Sequence, residues 1–265
     1  MRPREWVAVG VDGRRNARNW AADYLYCGTQ LAGGVVSFVS REDPAHWRGV
    51  DGDRLPVVLL PGIYETWRMM RPLAHALREA GHPVWVVRAV KLNSRSVIAE
   101  TRAVVDFVRH YPELEEFAIV AHSKGGLVGK SVMLVPDIGE RVRVMVTVAT
   151  PFAGSSFAAL AVPGLGIRSL RPQAGHLGLL AANAHVNSRI VSLIPRWDPH
   201  IPDSCEVAGG TNVHLAETGH FAPLGSPEVH RLVVRALDDA ARAPADDGGR
   251  TGGAPVPLVA GAGRR

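Results

Sequence analysis

Ser123 lies in a sequence context that is typical of nucleophilic serines. The pentapeptide Ala121-His122-Ser123-Lys124-Gly125 has a small-x-Ser-x-Gly pattern, in which small flanking residues let a strand and a helix approach closely. An uncharged run before it predicts a buried strand, and apolar periodicity after it predicts a helix. This setting predicts a sharp elbow that raises the serine hydroxyl above a sheet edge. An incidental serine in a tight turn is the alternative interpretation.

A serine hydroxyl needs a base to remove its proton, and His220 is the histidine best placed for that task. His220 follows the last predicted strand, in a loop from which its ring could reach Ser123. In elbow-type enzymes the histidine is the last of the catalytic residues along the chain. His214 lies within a predicted strand and His200 is too close to the candidate acid. His122 belongs to the elbow, where we expect it to orient substrate or form a wall of the site.

The base in turn needs an acid that fixes its tautomer, and Asp198 is the leading candidate. Asp198 comes just after a strand predicted over 189–194. The carboxyl ends of parallel strands share one sheet edge, so Asp198 would lie at the same edge as Ser123. Asp203 is the alternative acid, and either carboxylate could instead cap the turn between the flanking prolines.

The backbone offers two candidate donors for an oxyanion hole, the amides of Lys124 and Ile63. The Lys124 amide directly follows the candidate nucleophile, and Ile63 lies in the loop that closes the first strong strand. Gly62 permits the turn that would aim the Ile63 amide. Tyr64 and Glu65 lie beside this loop, where they shape a substrate pocket or simply pack against the fold.

The composition indicates one globular domain and argues against nucleic acid as a partner. The chain has 265 residues, of which 46% are hydrophobic and 21% charged, enough for a substantial core. Its formal charge is +5. However, only Lys91, Lys124 and Lys130 among its 30 basic residues are lysines, and the arginines are spread along the chain without a basic stripe.

Cofactor, metal and membrane signals are weak throughout the sequence. The two cysteines, Cys27 and Cys205, have no metal-ligand spacing, and we expect free thiols, with a single bridge as the alternative. There is no carboxylate pair, phosphate loop or metal-spaced cluster, so no cofactor or metal is expected. The N-terminal apolar run is too short for a secretory signal, and no stretch approaches the roughly 18 residues of a membrane span. These features predict a cytoplasmic protein.

The periodicity predicts an α/β fold with a mostly parallel central sheet and helices on both of its faces. A domain over 55–243 carries strands that alternate with helices. Residues 1–54 form an N-terminal arm, with a helix over 16–31, a break at Gly33-Gly34 and a short strand over 35–39. We expect the arm to pack on the domain rather than to bind substrate or a membrane. The predicted strands are 57–60, 84–87, 117–121, 142–148, 189–194 and 212–215; the predicted helices are 67–80, 97–108, 228–241 and the elbow helix.

Two segments depart from this alternation. Residues 152–187 are rich in Ala, Leu and Gly, and they follow the strand after the elbow. An insertion there would lie over the carboxyl ends of the sheet, so we expect a short cap that lines an acyl pocket with Phe152. An ordinary crossover helix with irregular flanks is the alternative. Residues 244–265 have no periodicity and predict a disordered tail.

Five motifs together resemble small bacterial lipases and esterases of the α/β-hydrolase superfamily. They are PGIYE, AHSKGG, ATPFAGS, WDP and NVHLAETGHF, within roughly 55–241. The resemblance implies an eight-stranded type of sheet, a Ser123-Asp198-His220 triad, no cofactor and hydrolysis of carboxylic esters. Two features depart from those lipases, the lysine after Ser123 and the N-terminal arm, so triglyceride specificity does not carry over.

The sequence therefore favours a serine carboxylic-ester hydrolase that forms an acyl-enzyme on a small or lipid-like ester with an apolar acyl group. A thioesterase or an acyltransferase with the same triad is one alternative. A non-catalytic binding protein with an α/β-hydrolase-like fold is another. Labelling of Ser123 by a fluorophosphonate separates the enzymes from the binding protein.

Overall fold

A parallel sheet lies at the centre of the computed structural model, which describes residues 13–39, 44–48, 54–160 and 166–243. Within these residues the sheet has six strands in the order β2-β1-β3-β4-β5-β6, and every neighbouring pair is parallel. The eight strands that the resemblance implied are thus not all present in the described residues. The predicted tail over 244–265 lies outside them. The strands are β1 Val57–Leu60, β2 Val84–Val86, β3 Phe117–His122, β4 Val142–Val148, β5 Ile190–Ile194 and β6 Thr211–His214.

The strand order reverses direction next to β1. The chain passes from β1 to β2 on one side and then returns to place β3 on the other side of β1. Open α/β sheets bind ligands in the crevice at such a reversal, outside the carboxyl ends of the strands. The loops that follow β1 and β3 contain Ile63 and Ser123, so the topology brings both to this crevice.

Helices cover both faces of the sheet, because successive strand residues point to opposite sides. Val58 and Leu60 belong to one buried cluster, and Val57 and Leu59 belong to the other. Helices α3 and α4 pack in the first cluster, and α2 and α7 pack in the second. The predicted fold class is confirmed. The helices are α1 Gly13–Val39, α2 Arg71–Glu79, α3 Val97–His110, α4 Lys124–Met133, α5 Pro136–Gly139, α6 Gly175–Ala182 and α7 Pro227–Arg242.

Local chemistry explains where several helices begin. Helix α3 begins after Ser96, whose Oγ accepts the Ala99 N–H at 3.2 Å, and this satisfies an amide that has no partner within the helix. The predicted helix over 67–80 is divided, with a 3-10 turn at Trp67–Met70 ahead of α2. Pro72 has no N–H to donate to the preceding turn, so α-helical hydrogen bonding begins beyond it.

Helix α1 differs from its prediction. It runs from Gly13 to Val39 without interruption, so the break at Gly33-Gly34 and the strand over 35–39 were wrong. Glycine costs about 1 kcal/mol in a helix relative to alanine, which weakens a helix without forbidding it. The helix lies against the domain, and the Tyr26 hydroxyl donates to the Met69 carbonyl at 3.2 Å. None of the described helices combines the length and apolar character that crossing a bilayer requires.

The segment over 152–187 contains short helices that are tied to the loop after β5. It includes 3-10 turns at Ser156–Leu160 and Gly166–Leu170 and then α6, and residues 161–165 lie outside the description. The Ser155 hydroxyl donates to the His200 carbonyl at 2.5 Å. The Ser156 N–H donates to Asp203 Oδ2 at 2.6 Å. The segment is therefore anchored beside the candidate acid, and its function as a cap stays a prediction.

Candidate active site

Ser123 occupies a strained elbow between β3 and α4. Its backbone has φ 51° and ψ −125°, a conformation that costs a non-glycine residue of order 1–3 kcal/mol. Hydrogen bonds hold it there: its N–H donates to the Val148 carbonyl at 2.9 Å, and its carbonyl accepts the Thr150 hydroxyl at 2.9 Å. The end of β4 and the loop that follows it thus stabilise the turn, by bonding to the N–H and to the carbonyl of Ser123.

The two glycines after the elbow are required by close packing. A Cβ atom on Gly125 would lie 2.2 Å from the Leu60 carbonyl oxygen, and one on Gly126 would lie 2.2 Å from Thr150 Oγ1. Both distances are well inside van der Waals contact. The Ser-x-Gly-Gly pattern therefore reflects the approach of α4 to the ends of β1 and β4.

The structure brings His220 and Asp198 together. The His220 Nδ1–H donates to Asp198 Oδ2 at 2.7 Å, and both side chains are buried. The other carboxylate oxygen, Oδ1, accepts the His200 and Ile201 amides at 2.8 and 3.1 Å. Asp203, the alternative acid, is exposed and instead accepts the Ser156 amide. With Nδ1 engaged, Nε2 is the ring nitrogen of His220 that remains to accept a proton.

Electrostatics within this pair favour a charged imidazolium beside a carboxylate. Burial alone would lower the pKa of His220, but the carboxylate of Asp198, together with those of Glu65 and Asp23, outweighs it and raises that pKa above its usual 6.5. Burial likewise opposes ionisation of Asp198, and His220 together with the amide hydrogen bonds lowers the Asp198 pKa overall. The pair is thus arranged to hold a proton on His220 when one arrives.

A buried hydrogen-bond chain joins the elbow to the loops on either side. His122 Nε2 lies 2.9 Å from the His220 carbonyl oxygen, and since a carbonyl only accepts, Nε2 is the donor of this hydrogen bond. Its Nδ1 lies 2.9 Å from Glu65 Oε2, which also accepts the Gly62 amide at 2.9 Å. Both ring nitrogens of His122 are engaged and the side chain is fully buried. His122, predicted near substrate, therefore lies within the supporting structure.

The amide of Gly62 is occupied by Glu65, which leaves Ile63 as the next amide in the loop after β1. Ile63 is partly buried against the core on the α3 and α4 side. Tyr64, in the same loop, has φ 60° and is 41% exposed. Phe152 is buried in the same hydrophobic cluster as α4. Of these two predicted pocket residues, Tyr64 is the one that reaches the surface.

The Lys124 side chain is fully buried despite its charge. Its Nζ donates to the Asn93 carbonyl at 2.6 Å and to the Arg95 carbonyl. Asn93 in turn donates to the Pro61 carbonyl at 2.7 Å. Burial lowers the pKa of Lys124 to about 8. Lys124 thus ties the loop after β2 to the elbow and, through Asn93, to the loop after β1.

Two residues near His220 were missed by the sequence analysis. Asp23 of α1 is fully buried and accepts the backbone amides of His220, Phe221 and Ala222. Glu65 was considered only as a pocket or packing residue. Nothing in the local sequence around either carboxylate predicts these contacts, because their partners lie 197 and 57 residues away.

His200, which is partly exposed, packs against His220 and Asp198. Its ring centroid lies 4.8 Å from that of His220, and its Nε2 lies 3.0 Å from the Tyr24 hydroxyl. Burial is the main cause that lowers the pKa of His200 to about 4. His200 is therefore neutral near pH 7, which avoids placing a second cation against His220.

Among the residues that the structure describes, two groups of side chains have donor atoms close enough to hold a metal ion. They are Glu65 with His122 and His220, and Asp198 with His200 and His220, each with its donor atoms within 4.8 Å of one another. Hydrogen bonds already use several of these atoms, including Glu65 Oε2 and Asp198 Oδ2. These hydrogen bonds occupy atoms that a bound metal ion would need as ligands.

No protein-family model and no curated protein sequence matches this chain. Solved structures do. A lipase from Bacillus licheniformis has a TM-score of 0.52 at 14% identity, over 71% of this chain and 94% of the lipase. A monoacylglycerol lipase from Paleococcus ferrophilus has 0.53 at 17%, over 71% and 96%. A metagenomic carboxyl esterase has 0.55 at 18%, over 73% and 76%. Together with the parallel sheet and the elbow, these similarities show that the chain has the α/β-hydrolase fold.

Proposed function

We propose that the protein is a serine carboxylic-ester hydrolase that works through an acyl-enzyme. The observation that carries the proposal is the 2.7 Å hydrogen bond between His220 and Asp198, made by a loop that lies against the elbow of Ser123. The rings of His122 and His220 are 4.7 Å apart, so the histidine loop contacts the residue next to the serine. The similar solved structures include lipases and an esterase, which supports the same chemistry.

In the acylation half, Ser123 Oγ attacks the ester carbonyl carbon while His220 Nε2 accepts the hydroxyl proton. Asp198 keeps the other ring nitrogen protonated and stabilises the imidazolium that forms. The oxyanion of the tetrahedral intermediate accepts hydrogen bonds from the backbone amides of Ile63 and Lys124. Loss of one such donor typically lowers kcat about 10²- to 10³-fold. The intermediate collapses as His220 returns the proton to the leaving alcohol oxygen.

In the deacylation half, water replaces the alcohol. His220 takes a proton from the water, whose oxygen attacks the acyl carbon of the Ser123 ester. The second tetrahedral intermediate expels Ser123 Oγ, which recovers its proton from His220, and the carboxylic acid leaves. Every bond made or broken is accounted for by these side chains and water, so the mechanism needs no cofactor.

We expect an ester with an apolar acyl group as the substrate. The segment over 152–187 is dominated by Ala, Leu and Gly, and it is anchored beside Asp198 through Ser155 and Ser156. Phe157 in that segment is 38% exposed, and its ring packs 5.6 Å from His200. An apolar surface therefore lies next to the proposed chemistry.

A fluorophosphonate probe and a series of nitrophenyl esters test the proposal. We expect labelling at Ser123, located by mass spectrometry, and hydrolysis whose kcat/KM depends on acyl-chain length. Matched thioesters and added alcohols in the same assays distinguish a thioesterase or an acyltransferase. A folded protein that neither reacts with the probe nor hydrolyses any ester would contradict the proposal and leave a binding protein.

A further inference from the structure

We propose that Asp23 of helix α1 is a positioning residue that holds the backbone of the His220 loop in its working place. The inference rests on the proposed function, since it assigns Asp23 a role in the activity of His220. Helix α1 would then contribute directly to the active site, whereas the sequence predicted an arm that packs on the domain.

The contacts of Asp23 are unusually complete for a side chain from so distant an element. Its Oδ2 accepts the His220 N–H at 3.0 Å, and its Oδ1 accepts the Phe221 and Ala222 N–H groups, both at 2.7 Å. The side chain has no exposed surface. A buried carboxylate without partners would cost several kcal/mol, so these amides are what makes its burial tolerable.

The histidine loop needs such an acceptor. Its three consecutive amides precede and open the short 3-10 turn Ala222–Gly225, and the first amides of a helical turn have no acceptor within the turn. The side chain that normally fills this role belongs to a neighbouring residue of the same segment. Here the cap comes from a helix 197 residues away, so the loop's conformation depends on the position of α1.

Gly219 shows how tightly the loop closes around the carboxylate. It has φ 103°, and a Cβ atom there would lie 2.4 Å from Asp23 Oδ1. Glycine therefore allows both the turn before His220 and the approach of Asp23. Asp198 orients the imidazole ring of His220, while Asp23 fixes the backbone that carries it. Both the side chain and the main chain of His220 are therefore held by a carboxylate.

The charge of Asp23 also acts on the proton affinity of His220. The groups that face His220 from the packed elements are the carboxylates of Asp198, Glu65 and Asp23 and the imidazoles of His200 and His122. Burial lowers the pKa of His220, whereas Asp198, Glu65 and Asp23 raise it. The contribution of Asp23 is smaller than those of Asp198 and Glu65. Removing its charge should therefore lower the pH at which His220 gains its proton.

Asp23→Asn is the sharpest test, because it nearly preserves shape. In either orientation the amide places an NH₂ group against at least one backbone N–H of the loop. We expect kcat to fall about 10- to 100-fold through misplacement of His220, with KM changed little. The acid limb of kcat/KM, and of the fluorophosphonate labelling rate, should shift to lower pH. Asp106→Asn is the control, since it removes an exposed carboxylate from α3 with the same change in net charge.

The outcomes separate this inference from the proposed function. If the wild type neither labels nor hydrolyses esters, the proposed function fails. If the wild type is active and Asp23→Asn keeps both its rate and its acid-limb midpoint, the positioning role is refuted while the hydrolase stands. Should Asp23→Asn not fold, hydrogen exchange in the wild type decides. Slow exchange of the 220–222 amides supports the inference, and exchange as fast as that of an open loop overturns it.

Discussion

The elbow at Ser123 and the loop at His220 meet at one edge of the sheet, but they are held there in different ways. The elbow lies directly between two regular elements, β3 and α4, and the backbone of Leu60 and Val148 in the neighbouring strands packs against it. The loop at His220 has little regular structure of its own. Asp198, His122 and Asp23 hold it from three separate parts of the chain.

The two regions should therefore respond differently to substitution. The effect of a change at the elbow should be confined to that point, whereas the His220 loop should be sensitive to changes in distant parts of the fold. A change at the elbow should act through a clash or a lost hydroxyl at that point. A change in the supports of the His220 loop should act at a distance, by moving or retuning a ring that is itself unaltered. Substitutions of Ser123 and Gly125 test the elbow, and substitution of Asp198 tests the support of the His220 loop.

The largest effect should come from removing the hydroxyl at the elbow. We expect Ser123→Ala to lower kcat for nitrophenyl ester hydrolysis on the order of 10⁶-fold and to abolish fluorophosphonate labelling, because no other group can form the acyl-enzyme. Ser131→Ala, which removes a buried hydroxyl from the same helix, is the matched control and should stay active. Full activity in Ser123→Ala would show that Ser123 is not the nucleophile.

The next largest effect should come from the support of the His220 ring. Asp198→Asn leaves the shape of the site but favours the wrong imidazole tautomer, so we expect kcat to fall about 10⁴-fold. Asp203→Asn is the control, because Asp203 only caps the Ser156 amide at the surface. Comparable losses in the two variants, or a greater loss at Asp203, would show that the acid has been misassigned.

A glycine pair tests whether the elbow is determined by local packing. Gly125→Ala forces a Cβ against the Leu60 carbonyl oxygen at 2.2 Å, and we expect the free energy of unfolding to fall by about 1–3 kcal/mol or more. In Gly178→Ala the new Cβ has no heavy atom within 4 Å, so its gain in helix propensity should stabilise α6 by about 0.5–1 kcal/mol. Urea unfolding of both variants measures the difference, and equal stabilities would refute the packing argument.

The smallest effect concerns Lys130, which is buried in the elbow helix. Burial lowers its pKa from 10.5 to about 8, so between these pH values the unfolded chain binds more protons than the folded chain. Stability contributed through this residue therefore rises with pH over that range. We expect Lys130→Met to be more stable than the wild type at pH 7, with a gap that narrows towards pH 10.5.

Urea unfolding at several pH values measures that gap. Lys91→Met, which removes an exposed lysine, controls for the change in net charge. A gap between Lys130→Met and the wild type that stays constant with pH would contradict the expected burial of a charged group in α4.

The sequence was informative wherever structure is decided within a few residues. Strand β4 was predicted with the bounds that it has, Val142–Val148, because valines dominate this segment and valine is enriched in strands. The turn at Ser123 was predictable for a similar reason. Its glycines and the change from strand to helix periodicity are adjacent in the chain.

The remaining features depend on contacts that the sequence order conceals. Helix α1 continues through Gly33-Gly34, which is compatible with the cost of glycine in a helix, only about 1 kcal/mol per residue. The partners of Asp23 and Glu65 could not be read from spacing, because side-chain hydrogen bonds of this kind carry no periodic signal. The sequence limited the candidate acid to Asp198 or Asp203. In the fold, Asp198 is hydrogen-bonded to His220, whereas Asp203 accepts the Ser156 amide.

The separation of Asp23 from His220 has a consequence for the order in which the protein is made. The amino-terminal helix leaves the ribosome long before its partner loop is synthesised, and closing a contact over 197 residues carries a large entropic cost until the sheet has formed. A nascent chain can complete the turn around its serine early. Under the proposed function, the His220 base would take its position only after residues 220–222 had been synthesised and α1 had docked against them, so ester hydrolysis would begin only then.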